Sequence, residues 1–170
     1  MTELMKTTDR GEKNIADREG KYLTFSLAAE EYGIGILKVK EIIGMMAITT
    51  MPQAPVYVKG VINLRGKVIP VVDLRLKFGL EEAGYTDRTC IIVVEIKTDT
   101  GNVQMGIVVD AVSEVLNVKE ADIEDTPTFG VAMRTDYILG MAKAGGGVKI
   151  LLDIEKVVSA RETASMCEAA

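Results

Sequence analysis

Tyr57-Val-Lys-Gly-Val-Ile-Asn-Leu-Arg-Gly-Lys-Val-Ile-Pro-Val-Val-Asp-Leu74 and Tyr137-Ile-Leu-Gly-Met-Ala-Lys-Ala-Gly-Gly-Gly-Val-Lys-Ile-Leu-Leu-Asp-Ile154 overlay without a gap at a constant offset of 80. The Tyr, two of the Gly, one Val and the Asp are identical, and most other positions stay apolar. A second block agrees: Gly33-Ile-Gly-Ile-Leu-Lys-Val-Lys-Glu-Ile-Ile43 overlays Gly106-Ile-Val-Val-Asp-Ala-Val-Ser-Glu-Val-Leu116 at an offset of 73. Self-similarity at a fixed spacing marks a duplicated unit. Each copy runs strand, Gly-led strand, V-x-E-[IV]-[IL] turn, Tyr-x-x-Gly hairpin and a short capped helix.

The surrounding sequence fills in the unit. Val/Ile-rich runs bounded by Gly, Pro, Asp and Thr predict strands at 22–27, 32–36, 61–64, 68–72, 90–96, 103–109, 138–142 and 148–152. Many are apolar throughout, the pattern of strands covered on both faces. Asp73 before Leu-Arg-Leu-Lys-Phe and Asp153 before Ile-Glu-Lys-Val-Val supply N-caps, and Gly79 supplies a stop. The fold class is therefore all-β with one or two short helices: two small β-barrel subdomains of five or so short strands apiece, about 22–79 and about 89–158. Closure removes exposed strand edges, and the apolar surface left on each barrel packs in a shared hydrophobic core. The domain spans 21–160, with a charged arm at 1–20 and a short tail at 161–170.

Composition narrows the function. The chain has 170 residues, is 48% hydrophobic, carries a net charge of −5 and lacks His and Trp. Without His there is no Ser-His-Asp or Cys-His nucleophile, no HExxH zinc site and no phospho-His relay. An acidic balance with 5% aromatics disfavours nucleic acid. Cys90 and Cys167 show neither pairing nor metal spacing, which fits a reducing, cytoplasmic setting. No apolar stretch is long enough for direct membrane insertion. No cofactor and no metal are expected; the cluster Asp122, Glu124 and Asp125 reads as a solvated loop.

A duplicated sequence carries its own control. Gly60/Gly140, Gly66/Gly146 and Asp73/Asp153 occur in both copies and read as turns and caps. Arg65 does not: its counterpart is Gly145. A guanidinium near a tight turn projects five donors in a fixed fork and suits a carboxylate or backbone carbonyls on a partner, or an ion pair within the chain. Glu41 and Glu114 are shared, so the comparison does not single out Glu41. Lys38 and Lys40 occur in one copy only, and a solvated face explains them as well. Asp99-Thr100-Gly101 spells an aspartic protease signature, but Lys97-Thr98 precedes it where an apolar strand is required, and the triplet occurs once. A hairpin turn explains it better. No catalytic residues are expected.

At Asn63-Leu64-Arg65-Gly66, followed by Val-Ile-Pro-Val-Val-Asp-Leu-Arg, the sequence resembles the CheW family of bacterial chemotaxis coupling proteins. Ile36-Leu-Lys-Val-Lys-Glu-Ile, Tyr137-Ile-Leu-Gly and Ile150-Leu-Leu-Asp-Ile-Glu-Lys extend the similarity over about 20–160. The resemblance implies two five-stranded, SH3-like barrels around a common hydrophobic core, and a non-catalytic adaptor. It also implies partners: the cytoplasmic tip of methyl-accepting chemoreceptors, the regulatory domain of the histidine kinase CheA, and other CheW-like domains in rings. The receptor-side residues it implies are Val39, Glu41, Gly60, Arg65, Val112 and Val115, with Gly140 also implicated. The expected docking site is a cleft between the barrels, apolar at its floor and rimmed by Arg65 and Glu41.

Overall fold

A computed structural model describes residues 18–125 and 137–158. The 1–17 part of the arm, Cys167 and the 161–170 tail lie outside the described residues. Eleven strands are present in it: β1 (Gly20–Leu27), β2 (Glu30–Gly35), β3 (Val39–Gly44), β4 (Val58–Leu64), β5 (Lys67–Asp73), β6 (Cys90–Thr98), β7 (Gly101–Val109), β8 (Ala111–Val118), β9 (Ile123–Glu124), β10 (Ile138–Ala144) and β11 (Gly147–Leu152). Two one-turn helices follow the repeated Asp: α1 (Leu74–Lys77) and α2 (Ile154–Val157). Asp73 Oδ1 accepts the Arg75 N–H at 2.9 Å, and Asp153 Oδ1 accepts the Glu155 N–H at 3.1 Å. Both caps are as the sequence predicts.

The strands form two mixed sheets, ordered β3-β6-β7-β5-β4 and β8-β1-β2-β11-β10-β9. Each curls back on itself. In the first, Thr49 bridges to Val61 of β4, so the chain leaving β3 meets the opposite edge. In the second, β8 turns through Glu120–Asp122 into β9, which pairs with β10. The duplication is expressed faithfully: parallel pairing sets Val71 against Gly106 in one barrel and Leu151 against Gly33 in the other.

The sequence limits of the barrels differ from expectation. Neither sheet is confined to about 22–79 or about 89–158. Barrel one is the continuous stretch β3–β7, and it is inserted between β2 and β8 of barrel two. The repeat says which segments are alike, not whether a strand pairs within its own copy or with the other. Both copies offer the same Gly-led strand, and here β2 and β7 pair across copies. Residues 18–20 also belong to the fold: Arg18 pairs with Glu120 and, at 2.8 Å, with Asp125.

The two V-x-E segments read as turns are the strands β3 and β8. Residue type hides them: in β3 half-buried and exposed positions alternate, but Glu41 takes a half-buried place and Ile42 an exposed one, while β8 carries an extra residue, Ser113, where Thr24 and Phe25 face Glu114 and Val112.

Three apolar clusters account for the continuously apolar strands. Ile91 and Val93 face the interior of barrel one with Ile62, Ile69 and Val71. Ile92, Val94 and Ile96 face the other way, into a seam shared with Phe25, Leu27, Ile34 and Leu152 of barrel two. Tyr22, Ile123, Ala142 and Leu151 fill barrel two. Burying each large aliphatic side chain is worth about 1.5–3 kcal/mol, so this seam outweighs any surface ion pair in holding the barrels together. Phe78, just after α1, carries the contact across: it lies between Tyr32 and Tyr137, at ring-centroid distances of 5.8 and 5.5 Å. Met45 and Met46 pack against the interior of barrel one.

Candidate functional site

Arg65 sits at the tip of the β4–β5 hairpin with φ +51°, a left-handed conformation that L-residues other than Asn and Asp seldom adopt. Asn63 Oδ1 accepts the Gly66 N–H at 2.8 Å and fixes the turn. The Arg65 side chain, 68% exposed, pairs with Glu41. Glu41 lies on β3 and Arg65 just beyond β4, the two edges of the barrel-one sheet, so the ion pair spans the line of closure. Val39, at the start of β3, packs against the shared seam.

Gly60 and Gly140 occupy matching places, each beside a bulge opposite the following strand. A Cβ on Gly60 would lie 2.0 Å from the Thr49 carbonyl oxygen. On Gly140 it would lie 2.6 Å from Ile123 Cγ2. Both glycines let the closing segment of their barrel approach, which is a packing role. Val112 packs on the seam from β8, while Val115 on the same strand is 52% exposed. Ile42, its counterpart in the repeat, is also exposed. The structure thus brings Glu41 and Arg65 together on barrel one and sets Val112 and Val115 on barrel two.

A recess of about 780 Å³ lies elsewhere. It is lined by Ile36, Leu37, Lys38, Leu139, Ile154 and Glu155, among others, and by none of the seven candidate residues. The expected cleft rimmed by Arg65 and Glu41 is therefore not this recess: the pair joins the two edges of the barrel-one sheet.

The protease-like triplet is the β6–β7 hairpin. The Thr98 hydroxyl donates to the Gly101 carbonyl at 2.6 Å and accepts from the Thr100 N–H at 3.3 Å. The acidic cluster is drawn into ion pairs, Glu124 with Lys143 at 2.7 Å and Asp125 with Arg18. A stronger polar cluster was not foreseen. Arg75 donates through Nε to Asp110 Oδ1 at 2.8 Å and through Nη2 to Oδ2 at 2.7 Å. The guanidinium holds the Asp110 carboxyl below the usual carboxylate range against the opposing pull of burial. Arg75 stands where the second copy has Glu155, and Asp110 where the first has Leu37. The test that isolates Arg65 would have found both.

A twin-barrel module presenting an arginine fork and exposed β-branched side chains belongs to the class of surface-presenting adaptors. The CheW-like domain family matches residues 21–162, and the chain belongs to that family. It is 42% identical over 144 residues to the chemotaxis protein CheW of Klebsiella aerogenes, covering 85% of this chain and 84% of the relative. It is 34% identical over 150 residues to that of Rhizobium meliloti, covering 88% and 94%. The crystal structure of the scaffolding protein TtCheW from Thermoanaerobacter tengcongensis superposes with a TM-score of 0.73 at 35% identity, covering 85% of this chain and 95% of that one. The family is one of non-catalytic scaffolds, and this chain has a chemotaxis coupling role. No helix among the described residues is long and apolar enough to cross a membrane.

Proposed function

We propose that the chain couples methyl-accepting chemoreceptors to the histidine kinase CheA. Arg65, Glu41 and Val39 of barrel one, with Val112 and Val115 of barrel two, form the surface for the cytoplasmic receptor tip. The CheA regulatory domain, itself CheW-like, is the second partner, and further CheW-like domains complete rings at membrane arrays reached from the cytoplasm. Gly60 and Gly140 act by keeping each barrel closed and the surface in shape.

The observation that carries this reading is Arg65: an exposed arginine held at φ +51° where the other copy of the hairpin has glycine. A left-handed conformation costs an L-residue roughly 1–2 kcal/mol, and an exposed ion pair returns less than that. Folding alone therefore favours glycine at this turn. A receptor helix carrying a carboxylate would take over the fork that Glu41 now occupies. Apolar contacts at Val115 would supply affinity and the charge would set register. Signal then passes as a shift in how receptor and kinase are held, with no bond made here.

The test is capture of the purified chain by a receptor-tip fragment and by a CheA regulatory domain, separately and together. Binding to each alone and to both at once is expected. Failure to bind the receptor fragment overturns the assignment of Arg65.

A further inference from the structure

The chain passes from one barrel to the other twice, from β2 to β3 through Ile36–Lys38 and from β7 to β8 through Asp110. A carboxylate ties down each crossing. Asp110 accepts from two nitrogens of the Arg75 guanidinium, on α1 between β5 and β6 of barrel one, and its Oδ2 also accepts the Ala28 N–H of barrel two at 2.9 Å. Ala28 and Ala29 in that β1–β2 turn stand at φ +51° and +72°, so the turn that Asp110 holds is itself a demanding one. At the other crossing, Glu155 of α2 at the end of barrel two accepts Lys38 Nζ at 2.7 Å and the Lys97 N–H of barrel one at 3.2 Å. The same place in the duplicated fold is thus bridged twice with opposite polarity: helix cation to crossover anion, then helix anion to crossover cation.

The geometry points to these as inter-barrel latches, with Arg75 and Asp110 the principal positioning residues for the surface shared by the two barrels. The apolar seam holds the barrels together, but burial is non-directional and tolerates sliding. A planar fork on a carboxylate that also takes a backbone N–H from the second barrel fixes an angle. The two latches are unequal. Arg75–Asp110 is two-pronged, with its arginine side chain 19% exposed, and its Arg75 Nη1 donates further to the Glu81 carbonyl at 3.1 Å. Lys38–Glu155 is single-pronged, with its lysine 38% exposed, and both its residues line the 780 Å³ recess. The first is the fixed side of the joint and the second the side that yields.

The consequence for function rests on the reading that the receptor surface is built from both barrels. Neither Arg75 nor Asp110 is hydrogen-bonded to a candidate residue, yet Glu41 and Arg65 on one barrel and Val115 on the other make one surface only when the barrels are correctly placed. Loosening Asp110 should then weaken receptor binding with every contacting side chain intact.

The experiment uses the full chain with spin labels at Val68→Cys and Val148→Cys, exposed and matching positions on the two barrels, in a background with Cys90 and Cys167 replaced by Ala. Asp110→Asn should broaden the label-to-label distance distribution, speed hydrogen exchange at the Ala28 amide and weaken receptor-fragment binding by about fivefold or more, the low end of ordinary coupling between sites. Arg75→Lys, which keeps the charge and loses the fork, should fall between Asp110→Asn and the parent, and it carries the same measurements if Asp110→Asn does not fold. Lys38→Gln should broaden the distribution less. Distances that overlay the parent, however far the melting temperature falls, overturn the latch. Broadened distances with unchanged receptor binding overturn the positioning role. A parent chain that binds no receptor fragment sinks the receptor reading, while the distance data still decide the latch.

Discussion

The β4–β5 and β10–β11 hairpins share one backbone and differ in what they spend it on. Gly145 and Gly146 pass through the second turn at φ +58° and +80°, and Arg65 and Gly66 pass through the first at +51° and +86°. Barrel two meets the left-handed position with the residue that suits it; barrel one places an arginine there and supports it with Asn63 and Glu41. Lys143, in the place of Asn63, goes instead to Glu124 on the closing strand. Two copies under the same folding constraints therefore separate what the barrel needs from what one surface needs.

The glycines that admit the closing segments give the largest test of that symmetry. Gly60→Ala drives a Cβ into the Thr49 backbone at a φ of +144° and should cost about 3 kcal/mol. Gly140→Ala meets first a side-chain methyl of Ile123 and should cost about 1 kcal/mol, both read from urea midpoints. Equal losses would break the idea that backbone presses harder on Gly60, at 2.0 Å, than on Gly140, where the Glu124 carbonyl oxygen stands at 3.0 Å.

Arg65→Glu should weaken receptor-fragment binding at least about tenfold, near 1.4 kcal/mol, with the melting temperature nearly unchanged. A variant that unfolds, or that binds as the parent does, makes Arg65 structural or idle. The latch residue comes next. The folded Asp110 carboxyl titrates below its unfolded value of about 3.9, so its contribution is present above that value and is lost as pH falls through the folded one. Asp110→Asn should be about 1 kcal/mol less stable at pH 7, a figure reduced for partial exposure, and the deficit should shrink toward zero well below pH 4. A deficit that stays constant across that range would remove the ion pair as its cause.

Arg65→Gly converts the first turn into the second and should raise stability by about 0.5 kcal/mol, relief of strain less a weak ion pair, while receptor binding falls. Lys143→Ala should leave the urea midpoint where it is in the parent, since both partners are exposed to solvent that screens the pair.

Much of the architecture was legible because the chain says it twice. The repeated Asp caps, the hairpins and the doubly covered strands follow from residue type and spacing, and the shared seam follows from strands such as β6 that are apolar on both faces. Strand exchange between copies was not legible: Gly33 and Gly106 are interchangeable as partners for the strands they join, and only packing of the whole decides. β3 was hidden because Glu41 takes a half-buried place and Ile42 an exposed one, and β8 because the extra residue Ser113 interrupts its alternation. Of the candidate site, Arg65 stood out because glycine replaces it in the other copy. Arg75 and Asp110 met the same criterion, but within an Asp-capped segment Arg75 reads as an ordinary helix residue, and Asp110 as the end of a strand. Their contact joins residues 35 apart in sequence, and no local pattern announces it.

The insertion of one barrel inside the other also sets an order of assembly. As the chain leaves the ribosome, β1 and β2 emerge first and have no complete sheet to join, because their neighbours β8 and β11 are still unmade. The inserted barrel is contiguous and can close meanwhile, and in doing so it fixes the separation of its two ends, Ile36 and Asp110. The long loop that would separate β2 from β8 is thereby shortened to the width of a folded body, and the entropic cost of bringing the last strands back to the first falls with it. The apolar faces of β1 and β2 wait longest for cover, and they are where a nascent chain of this design is most exposed to capture by chaperones or to aggregation.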